Sequence, residues 1–156
     1  MSPFCWPARV YWEDTDGGGV VYYANYLKYL ERARTEWLRA QGFSQQELAR
    51  QRGIVFAVTH VTLDYRRPAR LDDELIVSCE PRARGAASIA FAQHVYRRDA
   101  TASPAKASPA PAAGSAEPGE LLCSGEVRIA CVDARTFRPQ RLPEFMRDAL
   151  AAQEHS

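Results

Sequence analysis

One stretch of this chain has the length and periodicity of a long amphipathic helix, and the chain beyond it reads mostly as strand. From about Ala24 to Gln41, the residues Leu27, Leu30, Ala33 and Trp37 recur at helical spacing and form one apolar stripe. Lys28, Glu31, Arg32 and Arg39 occupy other faces, and Gly42 is placed to stop the helix. Ser44, with Glu47 three residues on, predicts a short second helix to about Arg52. Beyond Gly53 the texture changes to Val, Thr and aromatics. Ile54–Tyr65 has the length of one long strand, closed by Arg66-Arg67-Pro68; Glu74–Glu80 and Ser88–Arg97 are two more, with Gly85 and its small neighbours between them. In Leu121–Val132, Cys123, Gly125, Val127, Ile129 and Cys131 alternate with Ser124, Glu126, Arg128 and Ala130, which predicts one buried and one wetter face. A short strand at Arg9–Glu13 and a terminal helix at Pro143–Ala151 complete the expected elements. A single helical stripe must be buried, and sequential strands pair antiparallel. An α+β fold, an antiparallel sheet of five to six strands curled around one long central helix, satisfies both. A doubly wound fold needs more helices between its strands.

With 156 residues, a single domain spanning 1–156 is expected. Within it, Asp99–Glu120 is dominated by Ala, Pro and Ser and offers a core little to bury, so it is expected to be a disordered insertion. Twenty basic residues against nineteen acidic argue against nucleic acid as a partner and allow at most a peripheral association with membranes. No apolar run reaches membrane-spanning length and Met1–Val10 has no signal-like apolar region, so a cytoplasmic location is expected. Cys5, Cys79, Cys123 and Cys131 form no C-x-x-C pair; they are expected as small buried hydrophobes, with no metal site.

Most catalytic patterns are missing. There is no G-x-S-x-G, H-E-x-x-H, P-loop or G-x-G-x-x-G. His60 and His94 fall inside expected strands and His155 next to the C-terminus. What remains is Glu13-Asp14-Thr15-Asp16-Gly17-Gly18-Gly19-Val20-Val21-Tyr22-Tyr23-Ala24-Asn25-Tyr26, three carboxylates and three glycines just before the helix. Glycine lets backbone approach a ligand closely. The first N–H groups of a helix lack internal partners and suit a carbonyl that becomes an oxyanion. A carboxylate beside them can attack a thioester or activate water. Acid-rich glycine loops also serve as plain caps and turns, so spacing alone leaves the role open.

Arg9-Val10, Thr15-Asp16, Gly19-Val20-Val21, Ala24 and Tyr26 match, position by position, the signature of the 4-hydroxybenzoyl-CoA thioesterase family. The resemblance runs from about Arg9 to Pro143 apart from the insertion. It is strongest to the YbgC-like, Tol–Pal-associated acyl-CoA thioesterases, through Tyr29-Leu30-Glu31-Arg32-Ala33-Arg34-Thr35-Glu36, Phe43-Ser44-Gln45-Gln46 and Pro68-Ala69-Arg70-Leu71-Asp72-Asp73. It implies a hot-dog fold and hydrolysis of acyl-CoA, or of an acyl group on a carrier protein. No cofactor is implied, coenzyme A being part of the substrate. It implies Asp16 as the catalytic carboxylate and the Tyr23 backbone N–H as the group that polarises the carbonyl; many YbgC-like members have histidine at that position, so no side-chain role is carried over. Gly19, Val20 and Val21 are expected to line the substrate. Arg82 and Arg84 are expected to meet its phosphates, with Arg66, Arg67 and Arg70 as further candidates. The family's sites form at a dimer interface, which implies a homodimer or homotetramer. Glu31, on the helix, is the rival carboxylate. A non-catalytic module that binds acyl thioesters or partner proteins is the alternative reading; a hot-dog dehydratase or hydratase lacks a histidine near the loop.

Overall fold

The apolar stripe of the long helix is buried against one face of an antiparallel sheet. The computed structural model describes residues 3–98 and 119–154. Its strands are β1 (Phe4–Arg9), β2 (Ile54–Tyr65), β3 (Glu74–Gly85), β4 (Ser88–Arg97) and β5 (Glu120–Asp133); its helices are α1 (Tyr26–Ala40), α2 (Gln45–Arg52) and α3 (Glu144–Glu154). The strand order is β1-β3-β4-β5-β2, and every neighbouring pair is antiparallel. This is the hot-dog arrangement that the sequence implies.

Tyr26, Tyr29, Leu30, Ala33, Trp37 and Leu38 form the buried side of α1. Trp37 meets Phe91 of β4 edge to face, with ring centroids 5.5 Å apart. Each large side chain buried this way stabilises the fold by roughly 1.5–3 kcal/mol. Leu27, expected in the stripe, is instead exposed. At about 100° per residue, Tyr26, Tyr29, Leu30, Ala33 and Trp37 share one arc and Leu27 lies outside it, while Leu38, also outside that arc, is buried near the C-terminal end of the helix. One polar group is built into this interface: Gln93 is wholly buried, donates to the Leu30 carbonyl at 3.1 Å and accepts from Arg34 at 3.0 Å. α2 is capped as expected, Ser44 Oγ accepting from the Glu47 N–H at 3.1 Å. α3 seats Met146 and Leu150 in the core and stacks Phe145 on Phe43 at 3.7 Å.

Three boundaries differ from expectation. The first strand lies at Phe4–Arg9, not Arg9–Glu13, because Phe4 to Arg9 pair in register with Cys79 to Glu74 of β3. Trp12–Asp14 is a 3-10 turn. β3 continues past Glu80 and through Pro81 to Gly85. β1 begins opposite Cys79, so Pro81, which has no N–H to give, sits where β3 has no β1 neighbour. Glu120, assigned to the insertion, belongs to β5, where it is the register partner of Arg97 and accepts from its guanidinium at 2.6 Å. The rest of the expected insertion, apart from Gly119, lies outside the described residues. No helix among the described residues is long and apolar enough to cross a membrane.

Candidate active site

The glycine loop is a tight excursion pinned on one side to the connection between β2 and β3. Thr15 and Val21 bridge across it, the Asp16 N–H donates to the Val20 carbonyl at 2.8 Å, and the Gly19 N–H donates back to the Asp16 carbonyl at 3.2 Å. Gly19 has φ = +80°, a left-handed conformation that a side chain disfavours. Val21 turns inward, 4% exposed, with its N–H on the Ala69 carbonyl at 2.8 Å, and Val20 bridges to Arg70. The result is an exposed tip, Asp16 to Gly19, on a fixed base. At that tip Asp16 Oδ1 accepts from the Gly18 N–H at 2.7 Å.

Tyr23 opens a 3-10 turn, Tyr23–Asn25, that runs directly into α1. Its N–H meets no acceptor among the described residues, as expected for the first donors of a helix. Its carbonyl accepts from the Tyr65 hydroxyl at 2.7 Å. The loop therefore carries the expected carboxylate, its glycine turn and the expected N–H within eight residues of each other, Asp16 to Tyr23. A carboxylate and the first free N–H ahead of a helix are the two kinds of group that thioester cleavage calls for.

A recess of about 300 Å³ adjoins Tyr23, lined by Val21, Tyr26, Tyr65, Arg66, Arg67 and Pro68. Arg66 and Arg67 thus reach the site from the same chain. Arg82 and Arg84 do not: they are exposed near the far end of β3, and eight residues of strand from Glu74 to Arg82 span roughly 26 Å at about 3.3 Å each. Glu31 is exposed at its helix position and borders a different cavity, of about 360 Å³, beside Arg34, Trp37, Phe56, Val58 and Met146. Burial pulls the Arg34 guanidinium below its usual range, while neighbouring Glu31 acts to raise it. Among the histidines, His94 hydrogen-bonds Ser124 across the sheet at 3.0 Å and His60 lies exposed on β2. His155 lies outside the described residues.

Nothing in the sequence set Asp14 apart from the other loop carboxylates. In the fold it is 5% exposed, and its carboxylate accepts from the Tyr11 N–H at 2.9 Å and from the Asn25 amide at 3.0 Å. Asn25, just before α1, has the residue type of a helix cap, but its side chain is committed to Asp14 and caps nothing. Burial alone would raise the Asp14 pKa; the Tyr11 N–H, the Asn25 amide, the Tyr29 hydroxyl and the charge of Arg32 outweigh it and hold the carboxyl below its usual value. The Tyr29 hydroxyl is buried beside Asp14 without closing a well-aligned hydrogen bond.

A five-stranded antiparallel sheet packed on one long helix defines a class, the hot-dog proteins. The chain belongs to the thioesterase-like superfamily, whose family model matches residues 10–150. It is 40% identical over 141 residues to the acyl-CoA thioester hydrolase YbgC of Escherichia coli O6:H1, covering 90% of each chain. It is 38% identical over 146 residues to the acyl-CoA thioesterase YbgC of Haemophilus influenzae, covering 94% of this chain and 93% of the other. Its fold superposes on a 1,4-dihydroxy-2-naphthoyl-CoA thioesterase from Synechocystis with a TM-score of 0.78 at 22% identity, covering 98% of both. A probable thioesterase from Bartonella henselae gives 0.74 at 30% identity, covering 90% of this chain and 99% of that one.

Proposed function

We propose that this protein hydrolyses acyl-CoA thioesters to a free acid and the CoA thiol, with Asp16 as the reacting carboxylate. One observation carries the assignment of the site: Asp16 stands at the exposed tip of a turn that leads straight to the unpaired N–H of Tyr23. That N–H offsets the negative charge that grows on the thioester oxygen as the carbonyl becomes tetrahedral. Asp16 either attacks the carbonyl carbon, expelling the thiolate and leaving an anhydride that water cleaves, or takes a proton from a water that attacks in its place. Both routes consume one water per thioester. Single-turnover hydrolysis in oxygen-18 water separates them, since label in the Asp16 side chain requires direct attack. The chemistry calls for no cofactor; coenzyme A enters with the substrate. The Arg66 and Arg67 side chains beside Tyr23 suit its phosphates.

β2 lies at the edge of the sheet and is 12 residues long, with Val58 and Tyr65 exposed on it. Long unprotected edges pair, so a second copy along β2 is the proposed partner, giving a homodimer or a pair of such dimers. Light scattering is expected to give two or four chain masses, and Val58→Lys, a charge placed on that edge, to lower the value. The four cysteines are free and buried, which suits a reducing, cytoplasmic compartment.

The decisive assay is thiol release from a panel of acyl-CoAs, read with a thiol reagent, with acyl carrier protein thioesters run beside them. The protein's own thiols add little background: burial pushes Cys123 and Cys131 up to about 11 and raises Cys5 and Cys79 as well. Thiol release that Asp16→Asn abolishes supports the reading. Turnover of no acyl thioester overturns it.

A further inference from the structure

The reacting groups of the proposed site sit on exposed residues, while the loop's backbone ties gather at its base, from Thr15 to Val21 and from Val21 to Ala69. Asp16 to Gly19, Tyr22 and Tyr23 are exposed, so little apolar burial holds them. Thioester cleavage nevertheless requires the Asp16 carboxylate and the Tyr23 N–H to keep a fixed relation, because a displacement of about 1 Å can cost roughly 100-fold in rate. The loop is fixed from inside by one charged side chain, and among the described residues Asp14 is the only charged residue that is buried.

We propose that Asp14 is a positioning residue: its buried carboxylate clamps the two ends of the active-site loop and so holds Asp16 and the Tyr23 N–H in their reactive relation. The clamp has three points. Oδ2 takes the Tyr11 N–H, at the start of the loop, at 2.9 Å; Oδ1 takes the Asn25 amide, at its end, at 3.0 Å; and the Asp14 carbonyl takes the Tyr22 N–H at 2.9 Å. Asp16 lies two residues from one grip and Tyr23 two residues from another. Cohesion alone does not call for a carboxylate at this place, since burying an ionised group is costly unless donors surround it. Two donors arriving from opposite ends of the loop are met at once by the two oxygens of one carboxylate. The inference rests on Asp16 being the reacting carboxylate.

The chemistry of the clamp gives graded variants. Asp14→Ala removes both side-chain grips. Asp14→Asn retains them if the Asn25 amide turns over, so that the new NH₂ donates to Asn25 Oδ1 while the new carbonyl accepts from Tyr11. Asn25→Ala releases the far grip and leaves the Asp14 carboxylate in place. Steady-state kinetics with one acyl-CoA are measured on each folded protein, well below its Tm, with Asp16→Asn alongside. The expected result is a kcat lowered roughly 10- to 100-fold in Asp14→Ala, with KM within about twofold, and by several-fold in Asn25→Ala, with Asp14→Asn recovering much of the loss. A purely structural clamp would lower Tm and leave kcat per folded molecule unchanged. A kcat within about threefold of wild type in folded Asp14→Ala overturns the proposal. If Asp14→Ala does not fold, Asn25→Ala decides: reduced kcat at constant KM supports the clamp, and unchanged kcat overturns it. An active Asp16→Asn overturns the site reading beneath the proposal, a result distinct from inactive Asp16→Asn beside fully active Asp14 and Asn25 variants.

Discussion

The hydroxyl of Tyr65, the last residue of β2, donates to the carbonyl of Tyr23, the first residue of the turn that becomes α1, at 2.7 Å. This bond ties the edge strand of the sheet to the N-terminus of the central helix across 42 residues of sequence. The Tyr23 carbonyl belongs to the peptide that follows the proposed oxyanion donor, so its tether helps set where that donor points. Tyr65→Phe removes only the hydroxyl. It is expected to lower kcat several-fold while costing about 1 kcal/mol of stability or less. Kinetics and thermal unfolding of this one variant check both; an unchanged kcat would detach Tyr65 from the site.

Asp16→Asn and Glu31→Gln give opposite expectations. Asn at position 16 can still accept from the Gly18 N–H, so the turn persists and Tm should hold. Loss of the carboxylate is expected to cost roughly two to four orders of magnitude in turnover. Glu31 borders a cavity away from the glycine loop, and its amide variant should cost far less. The reverse ranking, an inactive Glu31→Gln with an active Asp16→Asn, would move the site to the helix.

Asp14 makes a forecast for acid stability. Its carboxyl titrates below its usual value in the folded protein, since the donors around it outweigh the effect of burial. It therefore holds its proton less tightly folded than unfolded. Its stabilisation is fully present above the unfolded value of about 3.9 and is lost as pH falls through the folded one. Urea unfolding from about pH 6 down to about pH 3 should show wild type losing more stability than Asp14→Asn over that window. Parallel curves would mean that the carboxylate charge contributes nothing.

β4 and β5 are in register where the chain leaves and re-enters the described fold. Arg97 and Glu120 are Cα partners joined by an ion pair, and the Arg98 N–H is held by the Glu74 carbonyl at 2.8 Å. Deleting residues 99–118 leaves Arg98-Gly119 as a two-residue link between paired ends, a length that hairpins accept. Closing a shorter loop costs less entropy, by about 0.6 kcal/mol per halving. The deletion is expected to raise Tm slightly and to leave the acyl-chain profile unchanged. A shifted preference between short and long acyl-CoAs would show that the segment takes part in substrate binding.

The fold class and the proposed place of the chemistry are both read from the order of the residues, because both rest on local patterns. A 3.6-residue period between Leu30 and Trp37, Ser44 three residues before Glu47, alternation along β5, and the spacing from Thr15-Asp16 to Tyr26 each act within one element. Helix and strand choices follow from such short-range sterics and burial. Contacts between residues far apart in the chain settle the rest. The first strand moved to Phe4–Arg9 because its register is dictated by β3 some seventy positions away. Arg66 and Arg67 rather than Arg82 and Arg84 adjoin Tyr23 in the same chain, because a strand carries its ends apart while the β2 terminus is brought back to α1. Asp14 and Asp16 look alike in sequence, two acids two residues apart. Packing buries one among donors from Tyr11 and Asn25 and leaves the other exposed at the tip of the turn, and that difference in surroundings separates the proposed clamp from the proposed reacting group.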